Sequence, residues 1–118
     1  MHAMTRVGFI GLGAMGASMA GHLHGKNLLA VVGNRSFAKA EAMAAKLGVR
    51  VARTDADFAE CDAVVLCVSM DADVMQCVRG LATVLRRGSV IIDHSTVARS
   101  TAVEAACVLE EYGIGFLD

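Results

Sequence analysis

Short apolar runs alternate with segments of helical periodicity along the whole 118-residue chain. Apolar runs of four to eight residues are typical of strands, and continuous apolarity is typical of strands covered on both faces. The pattern predicts six strands, at Thr5–Ile10, Leu28–Gly33, Val49–Ala52, Ala63–Val68 and Ser89–Asp93, and from Ile114 onward.

Apolar residues three or four positions apart predict a helix after most of these strands. The residues that carry the pattern are Met15, Met19 and Leu23 within Ala14–Gly25; Phe37, Ala40, Ala44 and Leu47 before a stop at Gly48; Val74, Val78, Leu81 and Leu85 from about Asp71; and a segment from Thr101 to Gly113. Two capping boxes are expected, Thr54 with Asp57 at a short helical turn and Thr101 with Glu104 at the last helix.

Strand and helix alternate to the end of the chain, which predicts an α/β fold. Right-handed crossovers place the helices on both faces of one parallel sheet. We therefore predict one domain over residues 1–118, a Rossmann-type doubly wound sheet with strand order 3-2-1-4-5-6. A ligand of such a sheet lies beyond the carboxyl ends of the strands, here Gly11–Gly16, Gly33–Ser36, Val68–Asp71 and Asp93–Thr96.

Composition narrows the class of protein further. The net charge is -1 and no basic tract is present, which argues against a nucleic-acid partner. No apolar run is long enough to span a bilayer and the start is unlike a signal peptide, so we expect no membrane partner and a cytoplasmic location. Apolar residues make up 55% of the chain, which suggests surfaces that meet another domain or a second copy.

The cysteine spacing excludes the common cysteine sites. Cys61, Cys67, Cys77 and Cys107 form neither a C-x-x-C pair nor a zinc pattern, so no metal site is expected. We interpret all four as small core residues, with a redox role as the alternative.

The candidate for binding chemistry is the G-x-G-x-x-G pattern of Gly11, Gly13 and Gly16, directly after a strand and opening a helix. In a dinucleotide site the first glycine permits the tight turn, the second lets the backbone approach a pyrophosphate, and the third allows close helix packing. The free N–H groups around Ala14 to Gly16 would face the phosphates. The alternative is a flexible turn in an α/β domain that binds no nucleotide.

The end of the second strand indicates which dinucleotide is bound. An NAD site places Asp or Glu about 20 residues past the turn, and this chain has Asn34, Arg35 and Ser36 there. The guanidinium of Arg35 and the hydroxyl of Ser36 suit a 2′-phosphate, so we expect NADP, as NADPH, to be preferred, with NAD still possible. The alternative is that Arg35 is a solvated surface residue and Ser36 only a helix cap.

These segments together resemble a known family. VGFIGLGAMGASMAGHL, NRS, VVLCVSMDADV, IIDHSTVARSTA and GFLD are similar to the cofactor half of the β-hydroxyacid dehydrogenases, which are like 3-hydroxyisobutyrate dehydrogenase and belong to the 6-phosphogluconate dehydrogenase superfamily. The resemblance covers essentially the whole chain and implies an NAD(P)-dependent oxidoreductase acting on CH–OH donors. Imine reductases are related to the same group.

The resemblance assigns cofactor contacts to individual positions. It implies that the pyrophosphate is wrapped by Gly11, Leu12, Gly13, Ala14, Met15 and Gly16, and that the adenine ribose and its phosphate meet Asn34, Arg35 and Ser36. It further implies that Val68 and Ser69 line the adenosine and nicotinamide-ribose side, that Thr96 approaches the nicotinamide, and that Asp73 is a further contact. Ser69 stands where the family often has proline.

No catalytic residue is assigned within the chain. The family's proton-transfer lysine lies in a second, all-helical domain, which we expect to be absent here, and Lys26, Lys39 and Lys46 are expected in solvent. His94, near the predicted crevice, is the alternative acid–base group. We expect the isolated chain to bind cofactor without turnover and to self-associate through exposed apolar surface; a non-catalytic NADP-binding module is the alternative.

Overall fold

The computed structural model describes residues 5–118. Its six strands form one parallel sheet in the order β3-β2-β1-β4-β5-β6, which confirms the predicted doubly wound topology. The strands are β1 Val7–Ile10, β2 Leu29–Gly33, β3 Arg50–Val51, β4 Ala63–Leu66, β5 Val90–Asp93 and β6 Gly115–Leu117. Each is shorter than predicted, although flanking residues such as Ala52 and Cys67 still donate backbone hydrogen bonds to the neighbouring strand.

Four helices and one 3₁₀ turn connect the strands. They are α1 Ala14–Gly25, α2 Phe37–Leu47, the 3₁₀ turn Asp55–Phe58, α3 Asp71–Ala82 and α4 Arg99–Glu110. Two apolar clusters lie on the two faces of the sheet, one with α1 and α2 and the other with α3 and α4. Successive residues of β4 alternate between them, since Val64 and Leu66 pack with α3 while Val65 packs on the α1 and α2 side.

The start of α4 differs from the prediction for a tertiary reason. The helix begins at Arg99, not near Thr101, and the Thr101–Glu104 capping box does not form. The carboxylate of Asp71, at the start of α3, accepts hydrogen bonds from the Ala98 N–H at 2.9 Å and from the Thr101 hydroxyl at 2.6 Å. A side chain of another helix therefore satisfies the first turn of α4.

The structure confirms a second capping box but not all of the predicted burial of individual side chains. The Thr54–Asp57 capping box is confirmed, with the Asp57 carboxylate 3.2 Å from the Thr54 nitrogen. The interpretation of all four cysteines as core residues is wrong for Cys107, which is exposed on α4, whereas Cys61 is buried. Met15 was expected on the apolar stripe of α1 but is 67% exposed, because small residues of the helix face the sheet instead.

Several large apolar side chains remain on the surface of the described chain: Met15, Phe37, Met70, Val103, Tyr112 and Leu117. Leu117 belongs to β6, an edge strand of the sheet. Within residues 5–118, none of the helices combines the length and apolarity that crossing a bilayer requires. Self-association through the apolar surface stays a prediction.

Candidate functional site

Two of the three motif glycines are required by the fold itself. Gly11 has φ +107°, and a Cβ placed on it would lie 2.1 Å from the carbonyl oxygen of Cys67. A Cβ on Gly16 would lie 1.9 Å from the carbonyl oxygen of Gly11. Any side chain at either position would separate the turn from β4 or lift α1 off the turn.

Gly13 has no such internal reason to be glycine. It is the N-cap residue of α1, its φ is −65°, and a Cβ placed on it would meet nothing within 4 Å. The backbone conformation is one that other residues adopt readily. The missing side chain therefore keeps open space above the start of α1, which is what a ligand approaching the backbone requires.

The amides of this turn divide into bonded and available groups. The Gly11 N–H donates to the Gly33 carbonyl at 3.1 Å and the Leu12 N–H to Asn34 Oδ1 at 2.8 Å. The helical ladder starts with the Ala17 N–H donating to the Gly13 carbonyl, so the amides of residues 13–16 have no helical acceptor. No acidic residue occupies the first turn and no side chain caps it. This arrangement fits a diphosphate, because free N–H groups and the positive helix end both favour an anion.

A cleft of about 430 Å³ opens at the carboxyl ends of the strands, lined by Ile10 directly before the glycine turn but by none of Gly11–Gly16. It lies where the strand order reverses between β1 and β4, the usual ligand position in such sheets. Its lining residues are Ile10, Gly33, Asn34, Arg35, Ala52, Arg53, Thr54, Asp55, Phe58, Val68, Asp73, Gln76 and Cys77. Its size is within the range of about 300–1,000 Å³ that is typical of small-molecule sites.

Two residues assigned from sequence, Arg35 and Asp73, meet in this cleft. The guanidinium of Arg35 forms an ion pair with the Asp73 carboxylate, a contact that joins the end of β2 to α3. The Arg35 side chain is 79% exposed and that of Asp73 17%. The second oxygen of Asp73 is buried without a hydrogen-bond partner in the described part of the chain. The pairing itself was not predicted.

A second arginine, Arg53, lines the same cleft and was missed by sequence reasoning. Its guanidinium carbon lies 4.9 Å from the centroid of the Phe37 ring, the first residue of α2. Phe37 was predicted to be part of an apolar helix face but is 37% exposed. Arg53 lies two residues after the end of β3, so its position near a strand carboxyl end was the available signal.

Asn34 and Ser36, at the end of β2, differ in the hydrogen bonds that their side chains make. Asn34 bonds to the protein on both sides, because its Oδ1 accepts from Leu12 and its Nδ2 donates to the Ser36 carbonyl at 3.3 Å. Ser36 is the N-cap residue of α2, but its side chain makes no capping hydrogen bond. The first turn of α2 contains no acidic residue. The Ser36 hydroxyl is therefore not occupied by the helix that it begins.

The loops after β4 and β5 are joined by a residue that sequence reasoning did not single out. The Val68 N–H donates to Ser95 Oγ at 2.8 Å, and the Ser95 N–H donates to Asp93 Oδ1 at 2.8 Å. The D-x-S-T segment was the available signal. Val68 lines the cleft, whereas Ser69 and Thr96 are exposed outside its lining.

The titratable side chains considered from sequence as acid–base groups are all exposed. Lys26, Lys39 and Lys46 are exposed, as predicted. His94 is exposed, and its backbone N–H donates to the Leu66 carbonyl at 2.8 Å. Burial raises the pKa of the Cys77 thiol, which lines the cleft, to about 11, so this thiol stays protonated near neutral pH.

A parallel sheet that reverses order beside a glycine turn and a cleft defines a doubly wound dinucleotide-binding domain. Residues 6–118 match the family model described as the NAD binding domain of 6-phosphogluconate dehydrogenase, and the chain belongs to this family. The cofactor class is therefore a nicotinamide dinucleotide, as the resemblance implied.

Three similar proteins illustrate the relationship. An uncharacterized oxidoreductase of Shewanella frigidimarina is 39% identical over 98% of this chain and 41% of its own length. The structure of Mycobacterium tuberculosis 3-hydroxyisobutyrate dehydrogenase with L-serine has a TM-score of 0.88 at 30% identity, over 97% of this chain and 39% of that one. A reductive aminase from Aspergillus terreus in complex with NADPH and ethyl levulinate has a TM-score of 0.81 at 25% identity, over 97% and 40% respectively. The chain thus spans less than half the length of these relatives.

Proposed function

We propose that this chain is an NADPH-preferring cofactor domain of an oxidoreductase. The enzyme transfers hydride between NADPH and a small β-hydroxy acid, semialdehyde or keto acid. The observation that carries the cofactor preference is the end of β2, where Arg35 and Ser36 stand and no carboxylate does.

The charges around this strand end support the preference. A carboxylate at this position binds the ribose diol of NAD and repels a 2′-phosphate. The carboxylates that line the cleft, Asp55 and Asp73, come from other elements, and Asp73 is paired with Arg35. The Ser36 hydroxyl is not used for capping, and the positive end of α2 adds attraction for an anion. A related reductive aminase was solved with NADPH.

Each part of the site has a proposed task. When bound, the nicotinamide ring supplies or accepts hydride. The amides of Gly13 to Gly16 hold the diphosphate, with the exposed Met15 beside it. Arg35 and Ser36 hold the 2′-phosphate, and Asn34 holds the glycine turn and the β2–α2 loop at a constant separation.

The remaining sequence assignments belong to the other half of the cofactor. We propose that Val68 and Ser69 border the ribose groups and that Thr96 borders the nicotinamide. Ser95 positions Val68 through the hydrogen bond to its N–H. The three lysines are exposed and lie outside the cleft lining. The family resemblance implies a proton-transfer lysine in a second, all-helical domain, so we propose that residues 5–118 bind NADPH without turnover.

A second candidate is the cofactor domain of an imine reductase, favoured by the structural match to the reductive aminase. The two candidates share this cofactor site and differ in substrate. Assays of the full-length protein with 3-hydroxy acids and with cyclic imines separate them. A chain that binds NADPH but supports neither reaction in its full-length context would be a non-catalytic binding module.

The cofactor preference is tested by titrating the chain with NADPH and with NADH, using the fluorescence of the reduced nicotinamide. Arg35→Ala is expected to weaken NADPH binding by about 2 kcal/mol, through loss of a charge-assisted hydrogen bond, and to leave NADH binding unchanged. Arg6→Ala is the matched control, since Arg6 pairs with Glu60 away from the cleft. Equal losses for both cofactors would contradict the phosphate role of Arg35.

A further inference from the structure

We propose that Arg53 is a second specificity-determining residue for the cofactor. Its guanidinium, supported on the Phe37 ring, binds the 2′-phosphate of NADPH together with Arg35 and Ser36. This inference rests on the proposed NADPH function, and it adds a second cation to the proposed 2′-phosphate site.

The two arginines of the cleft differ in their partners. Arg35 is paired with the Asp73 carboxylate, which compensates its charge. Within residues 5–118, the Arg53 side chain forms no ion pair. A phosphate monoester carries about −1.5 to −2 charges at pH 7, more than a compensated guanidinium balances. Among the described residues that line the cleft, Arg53 is the cation without an ion-pair partner. The nearby Asp57 carboxylate accepts a hydrogen bond from the Arg53 backbone N–H at 2.7 Å, but its ion pair is with Arg50.

The contact with Phe37 places Arg53 beside the other phosphate ligands. Phe37 follows Ser36 directly and opens α2, so a guanidinium 4.9 Å from its ring centroid lies at the same helix start. An aromatic face attracts the cation but accepts no strong hydrogen bond, so the N–H edge of the guanidinium stays available for phosphate oxygens. The ring thus orients Arg53 before any ligand binds.

The other carboxylate of the cleft, Asp55, faces a different helix. A Cβ placed on Gly80 would lie 2.2 Å from Asp55 Oδ2, so the Asp55 carboxylate lies against α3. Arg53 lies against α2, and these helices pack on opposite faces of the sheet. Within residues 5–118, Asp55 forms no ion pair with Arg53.

The test compares Arg53→Gln and Arg53→Lys with the wild-type chain. Each is titrated with NADPH, NADH, adenosine 2′,5′-bisphosphate and 5′-AMP, the last pair differing only in the 2′-phosphate. Arg53→Gln is expected to weaken NADPH and the bisphosphate about tenfold or more, with NADH and 5′-AMP unchanged. Arg53→Lys is expected to keep part of the affinity. Arg86→Gln is the matched control, because Arg86 is an exposed arginine that pairs with Asp62 outside the cleft lining.

Phe37→Leu tests the positioning role of the ring separately. It is expected to weaken NADPH less than Arg53→Gln does, to leave NADH unchanged, and to have no further effect in the Arg53→Gln background. If the wild-type chain prefers NADPH and Arg53→Gln retains that preference, the inference is overturned and the proposed function stands. If the wild-type chain binds both cofactors equally or neither, both fail.

Discussion

The side-chain oxygen of Asn34 lies 2.8 Å from the backbone nitrogen of Leu12, so the end of β2 is bonded directly to the glycine turn. The amide nitrogen of the same side chain donates to the carbonyl of Ser36 at the start of α2. One side chain thus sets the relative position of the proposed diphosphate site and the proposed 2′-phosphate site. Sequence reasoning assigned Asn34 to direct cofactor contact, whereas its bonds in the structure are to the protein.

Two substitutions of Asn34 test separately its positioning of the glycine turn and the effect of charge beside the proposed 2′-phosphate site. Asn34→Ala removes the acceptor of the Leu12 N–H and is expected to weaken NADPH and NADH alike, by about 1–2 kcal/mol. Asn34→Asp keeps an acceptor but adds a negative charge beside the 2′-phosphate position, so the NADPH to NADH affinity ratio is expected to fall. Fluorescence titration measures both. A loss confined to NADPH in Asn34→Ala would contradict the positioning role.

The glycines of the turn are expected to divide into ligand-binding and structural positions. Gly13→Ala should leave the unfolding free energy within about 0.5 kcal/mol of wild type, because a Cβ there meets nothing, and should abolish binding of both dinucleotides. Gly16→Ala should cost ~3 kcal/mol or more, because its Cβ would overlap the Gly11 carbonyl. Urea denaturation and titration give the two readouts. Normal cofactor binding by Gly13→Ala would remove the diphosphate assignment.

Asp73 is expected to moderate the NADPH affinity through its pair with Arg35. Asp73→Asn removes a carboxylate from the cleft and releases the charge of Arg35, so NADPH binding is expected to tighten relative to NADH. The ratio of dissociation constants from parallel titrations is the readout. Glu60→Gln serves as the control, since Glu60 pairs with Arg6 outside the cleft lining. A weaker preference for NADPH in Asp73→Asn than in the wild type would show that Asp73 itself contributes to binding the adenosine half.

Asp71 is expected to make the stability of the domain sensitive to acid. The Thr101 hydroxyl, and next the Ala98 N–H, hold the pKa of the Asp71 carboxyl below its ordinary value of 3.8. The charged form therefore stabilises the fold above that value, and its contribution is lost as the pH falls through the lowered pKa. Asp71→Asn should be less stable than wild type at pH 7, with the difference shrinking below about pH 4. Urea denaturation from pH 7 to pH 3 measures it; a constant difference would contradict the mechanism.

Thiol labelling is expected to distinguish three of the four cysteines. Cys107 is exposed and should react first with iodoacetamide near neutral pH. Burial raises the pKa of Cys61 and of Cys77 to about 11, so both should react slowly, because the thiolate is the reactive form. NADPH should slow Cys77 further, since Cys77 lines the cleft, and leave Cys107 unaffected. Peptide mass spectrometry over a time course reports each site.

Sequence patterns predicted the features that depend on near neighbours along the chain. The strand and helix order follows from apolar periodicity, and the role of Gly11 follows from its place between a strand and a helix. The Arg35–Asp73 pair joins residues 38 positions apart, and no local pattern encodes it. The start of α4 depends on Asp71, 27 positions before Ala98, which is why the capping-box prediction was wrong.

The hydrogen bond from Leu12 to Asn34 and the one from Val68 to Ser95 each join loops that follow different strands. The proposed nucleotide site is therefore assembled from the loops that follow β1, β2, β4 and β5, which are brought together by the folded sheet. Coenzyme that binds the folded domain stabilises it against unfolding, and the coenzyme concentration sets how far the melting temperature rises.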